Sequence, residues 1–311
     1  MKKYLYPLII VGIVLILAGL MYASLRYWEK EAWDWIELLI VPAALALVAV
    51  WFNYQGRKDD IKAAAERARI DHEIAADRQH EAALQTYYDK MTELLLQEDL
   101  RIVPPGTEAI SIALSRTRAT LRSLDHARKG LLVEFLHEAR LIEKQNTVID
   151  LDGADLTGAE LMGADLRKGE LAGANLTGAN LSAVDLSEAD LNGADLSYAD
   201  ISQADLTAAN LEKVQLFSAN LSRAVLTGAS LAGADLSKAN LTDAELKDTN
   251  LNDALLDEAS LFDATSIGFQ QLAQAASLKQ TILPDGKRYD PQTHPEINRL
   301  RQAAGLPPLT S

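Results

Sequence analysis

The chain contains no cysteine, which excludes disulfides, thiolate metal sites and cysteine nucleophiles. Histidine is scarce, five in 311 residues, and none falls between residues 149 and 264. That stretch therefore lacks the commonest general base and the commonest metal ligand. Elsewhere three His-Glu pairs occur: His72 with Glu73, His80 with Glu81, and His137 with Glu138. A zinc-protease helix needs a second histidine four residues after the first. Those positions hold Ala76, Leu84 and Leu141, so the second ligand is missing each time. No glycine loop ending in lysine is present to cradle a phosphate. The many serines and threonines have no partner to activate them and read as corner and surface hydrogen-bonders. The expectation is a protein that is not an enzyme, with no catalytic, cofactor-binding or metal-binding residues and no cofactor.

What is present is a period. From Leu151 to Leu261 a large aliphatic residue returns at every fifth position through twenty-three pentads, twenty-two times as Leu and once as Ile201. Five residues advance an α-helix by ~500°, so the row would spiral round it, and in a flat strand an odd period alternates faces. The chain must instead turn a corner at each pentad. Two residues before these positions stands Ala in eighteen of the twenty-three units. A small and a large inward residue on each short side make a solenoid. Gly follows two residues after many of the leucines, as at Gly158 and Gly178, where a corner needs unusual backbone angles. Val184, Val214, Thr249 and Gly169 replace Ala, while Val225 and Leu255 replace the polar residue before Leu. These departures suggest local bulges or a contact surface.

Written A-(D/N)-L-x-x, the run ADLTG, ANLTG, ADLSY, ADLTA, ANLSR, ADLSK resembles the pentapeptide-repeat family over about 113 residues. The resemblance implies a β solenoid of the right-handed quadrilateral β-helix type, with one pentad per side and residues twenty apart stacked. Nearly six coils at ~4.8 Å each give a rod roughly 27 Å long. Inside so narrow a tube there is room for one column of Leu and one of Ala per side. No coil can bury its own Leu, so stacking stabilises the array and its ends must be covered. Each buried Leu contributes ~1.5 to 3 kcal/mol before entropy is subtracted.

Before the rod, the twenty-two residues between Lys3 and Arg26 carry no charge, and Trp35 to Tyr54 carry only Glu37. Each is long enough as a helix to cross a bilayer, and Tyr and Trp cluster at the ends of both stretches. Lys2 and Lys3 on one side, and Arg57, Lys58, Lys62, Arg67 and Arg69 on the other, predict two cytoplasmic termini. Gly12, Gly19 and the Ala43, Ala44, Ala46, Ala49 group suit close helix approach, either within one hairpin or in a homo-oligomer. After Gly56 an Ala-, Glu- and Arg-rich sequence without Pro reads as a long helix, with Leu84, Tyr88, Met91 and Leu95 forming one apolar stripe. Two further helices follow Pro104, Pro105 and Gly106. Leu131, Leu132, Val133, Phe135 and Leu136 are placed to cover the first coil, and FQQLAQAASL resembles the family's terminal helix. EAALQTYYDKMTELLL, SRTRATLRSLDHARKGLLVEFLHEARLI and VIDLDGADL resemble the region preceding the repeats in membrane-attached bacterial pentapeptide-repeat proteins. That resemblance implies that hairpin, helices and rod travel together, in the bacterial inner membrane.

The expected organisation is a two-span transmembrane hairpin over 1–55, a helical stalk over 56–98, a helical cap over 99–146 and the β-helix over 147–265. A capping helix and turn over 266–286 and a tail over 287–311 complete it. Residues 149–264 hold 21 acidic and 6 basic side chains, a net of −15, against −14 for the whole chain. With the inward positions apolar, that charge lies outside, where it repels nucleic acid and attracts cations. Asp185, Asp190, Asp195, Asp200 and Asp205 precede the aliphatic residue in five successive pentads. Stacking by twenty aligns Asp165, Asp185 and Asp205 on one side, and Asp150, Glu170 and Asp190 on another. Tyr198 and Phe217 should be outward neighbours on adjacent coils. Asp165, Asp185, Asp190, Asp195, Asp200, Asp205, Tyr198 and Phe217 form the candidate partner surface. The functional expectation is a membrane-anchored, non-catalytic scaffold that meets the lipid bilayer and an unidentified protein, a basic one suiting the acidic rod, and binds no nucleic acid directly. The alternative is imitation of DNA toward an enzyme such as a topoisomerase, as the resemblance to soluble pentapeptide-repeat proteins implies.

Overall fold

The computed structural model describes residues 22, 41–97, 100–102, 104, 106–143 and 147–309. The chain divides into two compact units, Met1–Ala75 and Ala76–Ser311, and helix α1 (Val41–Gln97) contributes residues to both. In the first unit its side chains are mostly exposed, Leu45, Leu47, Val50 and Phe52 among them. Arg69 reaches Glu66 and Glu73, each at 2.8 Å.

The membrane expectation is corrected here. The stretch between Lys3 and Arg26 lies outside the described residues apart from Tyr22, as do Gly12 and Gly19. Of the second stretch, residues from Val41 on belong to α1. Among the described residues no helix is long and apolar enough to cross a membrane. Within α1 the uncharged run ends at Arg57, and the helix continues through a heavily charged sequence. The two-span hairpin, the lipid bilayer as partner and the multi-pass inner-membrane location with cytoplasmic termini are therefore not carried forward.

In the second unit three helical segments pack together. The end of α1 buries Leu84, Tyr87 and Met91, α2 (Glu108–Ser123) buries Ala113, Thr117 and Leu121, and α3 (His126–Glu138) buries Leu132, Val133 and Leu136. The stripe on α1 thus runs through Tyr87 as well as Leu84 and Met91. The Tyr87 hydroxyl meets Thr117 Oγ1 at 2.7 Å, so a buried polar tip is satisfied, and burial raises the Tyr87 pKa above the usual phenol range. Asp125 caps α3 by accepting the Arg128 N–H at 2.9 Å. The Arg128 guanidinium ties α1 to α3 through Asp77 at 2.7 Å and Glu81 at 3.0 Å, and it also holds Asp125. His80 faces Asp125 at 3.1 Å and His137 Nε2 lies 2.9 Å from the Arg167 carbonyl, so two of the His-Glu motifs are engaged in packing contacts.

The repeats form a four-sided coil. Parallel bridges link residues twenty apart, from Asp155 with Asn175 to Glu245 with Thr265, and four pentads close each turn. The Leu156 N–H donates to Asn175 O at 2.8 Å, and the Asn175 N–H donates back to Ala154 O at 3.0 Å. Such pairs recur up the rod between coils, and within each coil a turn bond such as Ala154 N–H to Leu151 O at 2.8 Å closes the corner, so the backbone is satisfied both ways. All twenty-three large aliphatic residues are at most 2% exposed. Residues two after the leucine adopt left-handed φ whether or not they are glycine, +65° at Gly178, +61° at Tyr198 and +62° at Lys238. The steric cost at non-glycine corners is borne because each corner N–H is fixed to the next coil, as Tyr198 N–H is to Phe217 O at 2.9 Å.

The departures leave the coil intact. Thr249 is buried and its Oγ1 donates to Leu226 O at 2.8 Å. Val225 bridges Asp205 and Glu245 in the ordinary register, so it makes no bulge, and Leu255 likewise pairs with Asp235.

Both ends are covered. At the first coil, Glu160 N–H donates to His126 O at 3.1 Å and Glu170 N–H to Ile142 O at 2.7 Å. The Lys129 ammonium, in a residue only 5% exposed, reaches Asp155 at 3.0 Å and Thr157 O at 3.3 Å. Leu131 remains half exposed, and Phe135 packs on Tyr88 with ring centroids 4.8 Å apart. At the far end the register lengthens from twenty to twenty-two, with Leu255 bridging Ser277 and Ser260 bridging Ile282. The insertion that lengthens it contains the four-residue helix α4 (Phe269–Leu272). The terminal helix is thus much shorter than FQQLAQAASL, and the rest of that segment continues the wrap. Helix α5 (Pro295–Ala303) follows. Its Arg301, 4% exposed, donates from Nη1 to Ala273 O at 2.9 Å and to Ala275 O, and from Nε to Pro307 O at 2.6 Å.

Candidate functional site

The residue before the leucine points outward and, where it is Asp or Asn, commonly has a local task. Its side-chain oxygen accepts the backbone N–H two residues on, which fixes the corner as an Asx turn. Asp185 accepts from Ser187 at 3.0 Å, Asp190 from Asn192 at 3.0 Å and Asp195 from Ser197 at 2.9 Å. Asp200 accepts from Ser202 at 3.1 Å and Asp205 from Thr207 at 2.9 Å. Asparagine does the same work: Asn175 accepts from Thr177 at 3.1 Å and Asn180 from Ser182 at 3.2 Å. The turn therefore needs an oxygen and does not need a charge.

The five acids from Asp185 to Asp205 do not form one surface. Successive pentads occupy successive sides, so they are distributed round the rod, and only Asp185 and Asp205 share a side. Along three sides amides separate many of the acids. Asn210 Nδ2 donates to Asp190 at 2.8 Å, Asn220 Nδ2 to Asp200 at 3.0 Å, and Asn240 Nδ2 to Asn220 at 3.1 Å. Asp165, Asp185 and Asp205 do stack directly, and the row then ends at Val225. Arg167 lies against its start, with Nη2 2.7 Å from Asp165 and Nε 3.6 Å from Asp185.

The Arg167 side-chain hydrogen bond holds the Asp165 carboxyl well down, at about 2. Burial alone would raise the Asp195 carboxyl, but hydrogen bonds from the Ser197 side chain and backbone and from Thr177 bring it below its ordinary value. Because folding lowers the Asp165 pKa, its stabilisation is fully present above the unfolded value of about 3.9 and is lost as pH falls through the folded one. Arg167→Ala is expected to return this carboxyl toward the ordinary range and to remove that increment of acid sensitivity. Carboxyl carbon shifts followed by NMR from about pH 6 downward check it; an unmoved Asp165 titration refutes the pairing.

Tyr198 and Phe217 do meet. Their ring centroids are 5.6 Å apart in an edge-to-face arrangement at 77°, and Tyr198 is 62% exposed. This corner lies between the columns containing Asp195 and Asp200, one side round from the Asp185 row. The sequence reading missed Lys238, whose Nζ stands 5.4 Å from the centre of the Phe217 ring. Its signal was available, since Lys238 occupies the corner of the next coil. A separate cavity of about 290 Å³ near α4 is walled by Ile267, Phe269, Leu272 and Leu283, with Asp285 and His294 as its polar groups. His294 Nδ1 is already engaged by Thr293 Oγ1 at 2.9 Å. Among the described residues no group of His, Asp and Glu is arranged to hold a metal ion.

Residues 149–182, 174–212, 185–223 and 219–258 match the family described as Pentapeptide repeats, in eight copies. No curated protein matches the chain. Among solved structures it is similar to a pentapeptide repeat protein from the cyanobacterium Cyanothece 51142, with 38% identity, covering 31% of this chain and 58% of that one, at a TM-score of 0.25. A pentapeptide repeat protein from the Arabidopsis thaliana thylakoid lumen shows 32% identity over 33% of this chain and 69% of its own, at 0.27. QnrB1, a plasmid-mediated fluoroquinolone resistance protein, shows 16% identity over 51% of this chain and 88% of its own, at 0.26.

Proposed function

Because residues 149–258 of this chain belong to the pentapeptide repeats, whose fold is a right-handed β-helix, we propose that it is a non-catalytic protein-interaction module whose rod offers acidic sides to a basic protein. The observation that carries this reading is the redundancy of the charge. Asn closes the corner as well as Asp does, yet residues 149–264 carry 21 acids against 6 bases. Like charges stacked on neighbouring coils oppose one another; Arg167 offsets this at the Asp165 end of the row, and the Asp185–Asp205 step remains a repulsion that the turns do not require. A cationic partner would relieve it.

Imitation of duplex DNA is less well supported, because the row stops at Val225 and amides dilute the other sides.

The test is a triple variant, Asp165→Asn, Asp185→Asn and Asp205→Asn. Asn preserves the Asx turn, so thermal unfolding should change little. In affinity capture with the full chain, proteins retained by the wild type at low salt should be lost by the variant and by the wild type at high salt. Identical retention by the two proteins would overturn the acidic-surface reading. Inhibition of a supercoiling reaction by the wild type alone would instead favour DNA imitation.

A further inference from the structure

From the corner that carries Tyr198, we infer an arginine-binding spot: an exposed aromatic platform, flanked by carboxylates, that takes a guanidinium from a basic partner segment. The inference rests on the interaction reading above and names the chemistry of its partner.

The argument begins with Lys238. Along this corner the residues two after leucine are Gly178, Tyr198, Ser218, Lys238 and Glu258 in successive coils, all at positive φ. Phe217, beside Ser218, has the Lys238 ammonium 5.4 Å from its ring centre, and Lys238 is steadied by Glu258 at 4.0 Å. The rod thus already places one cation on this aromatic pair. Tyr198, the other ring, is 62% exposed. Toward the N-terminal end its corner neighbour is Gly178, and a Cβ added there would meet nothing within 4 Å. The space one coil to the N-terminal side of Tyr198 is therefore open, on the side of the ring away from Phe217 and Lys238.

Charge decides what enters. Asp195 and Asp200 stand on either side of the corner. Asp200 accepts on Oδ1 from the Ser202 N–H and Asn220 Nδ2, and the Asp195 carboxyl is held below its ordinary pKa by its hydrogen bonds. A cation over an aromatic face with carboxylates beside it is attracted by both. Arginine suits the place better than lysine, because a planar guanidinium stacks on the ring while its edge donates to a carboxylate.

The probe is a labelled arginine-glycine peptide, followed by fluorescence anisotropy with the full chain. Tyr198→Ala is expected to weaken binding about five- to tenfold, the range for a partly desolvated cation on an aromatic ring. Gly178→Lys should weaken it similarly by placing a cation on Tyr198 from within. That variant should fold, since Lys168, Lys213 and Lys238 occupy corners of the same kind at φ of 60°, 56° and 62°. A lysine-glycine peptide should bind the wild type less tightly and lose less on either substitution. The proposal is overturned if both variants bind the arginine peptide as the wild type does, or if the wild type does not bind it. If the Asp165, Asp185, Asp205 triple variant abolishes binding while Tyr198→Ala leaves it intact, the acidic reading survives and this spot does not.

Discussion

Gly130→Ala is expected to unseat α3 from the first coil and to lower stability by about 3 kcal/mol, the upper part of the usual overpacking range. A Cβ at this position would lie 1.9 Å from the Glu160 carbonyl oxygen and 2.9 Å from its carbon. Both are backbone atoms, so no side-chain rotation relieves the clash. The helix would have to lift. Lifting would also lengthen the hydrogen bond from Glu160 N–H to His126 O and draw Lys129 from Asp155. Urea unfolding gives the total, and amide exchange should lose protection first at Glu160 and Glu170, where the coil borrows its acceptors from the cap. Wild-type stability with unaltered exchange at those two amides would refute the close approach.

Arg301→Met is expected to cost about 3 kcal/mol and to loosen the opposite end. Its guanidinium serves the carbonyls of Ala273, Ala275 and Pro307, and a methionine of similar length would leave the two buried acceptors, Ala273 and Ala275, without this donor. Arg301→Lys should recover little, because an ammonium at the end of a flexible stem cannot hold the same fork of acceptors. In a stacked array the loss should stay local at first, since each coil contacts only its neighbours. Exchange is therefore expected to quicken at Asp253, Leu256 and Glu258, which donate to the last wrap, while Leu196 and Leu206 remain protected. Uniform loss of protection along the rod would contradict that behaviour.

The coil was legible because its cause is local and repeated. A large residue every five positions can be kept inside only by a chain that turns at every pentad, and all of them, Ile201 included, are buried. Thr249 also read correctly as a mild substitution, although its hydrogen bond to Leu226 O reaches back to the preceding coil, 23 residues earlier in the chain. The ends were legible only in part. Leu132, Val133 and Leu136 carry apolar character that suggests a cover, but the contact that seats α3 is made by a glycine, whose use is the absence of atoms. Arg301 gave no signal, because its partners are carbonyls every residue possesses. The acids from Asp185 to Asp205 encircle one coil, as one pentad per side implies, and their neighbours along a side are the residues twenty away. The apolar stretch before Arg57 suggested a span from its composition, and among the described residues no helix is long and apolar enough to be one.

The constancy of the twenty-residue turn has a consequence for how such a chain can change. Removing a single residue between Leu151 and Leu261 would throw every later leucine out of phase with the interior. Removing five would leave the interior intact but rotate everything downstream by a quarter turn, and a cut between Phe217 and Lys238 would carry that lysine away from its ring. Only a deletion of twenty keeps both the inside and the outside as they were. Distance along this polypeptide is therefore also an angle, and its outward features are inherited as compass bearings.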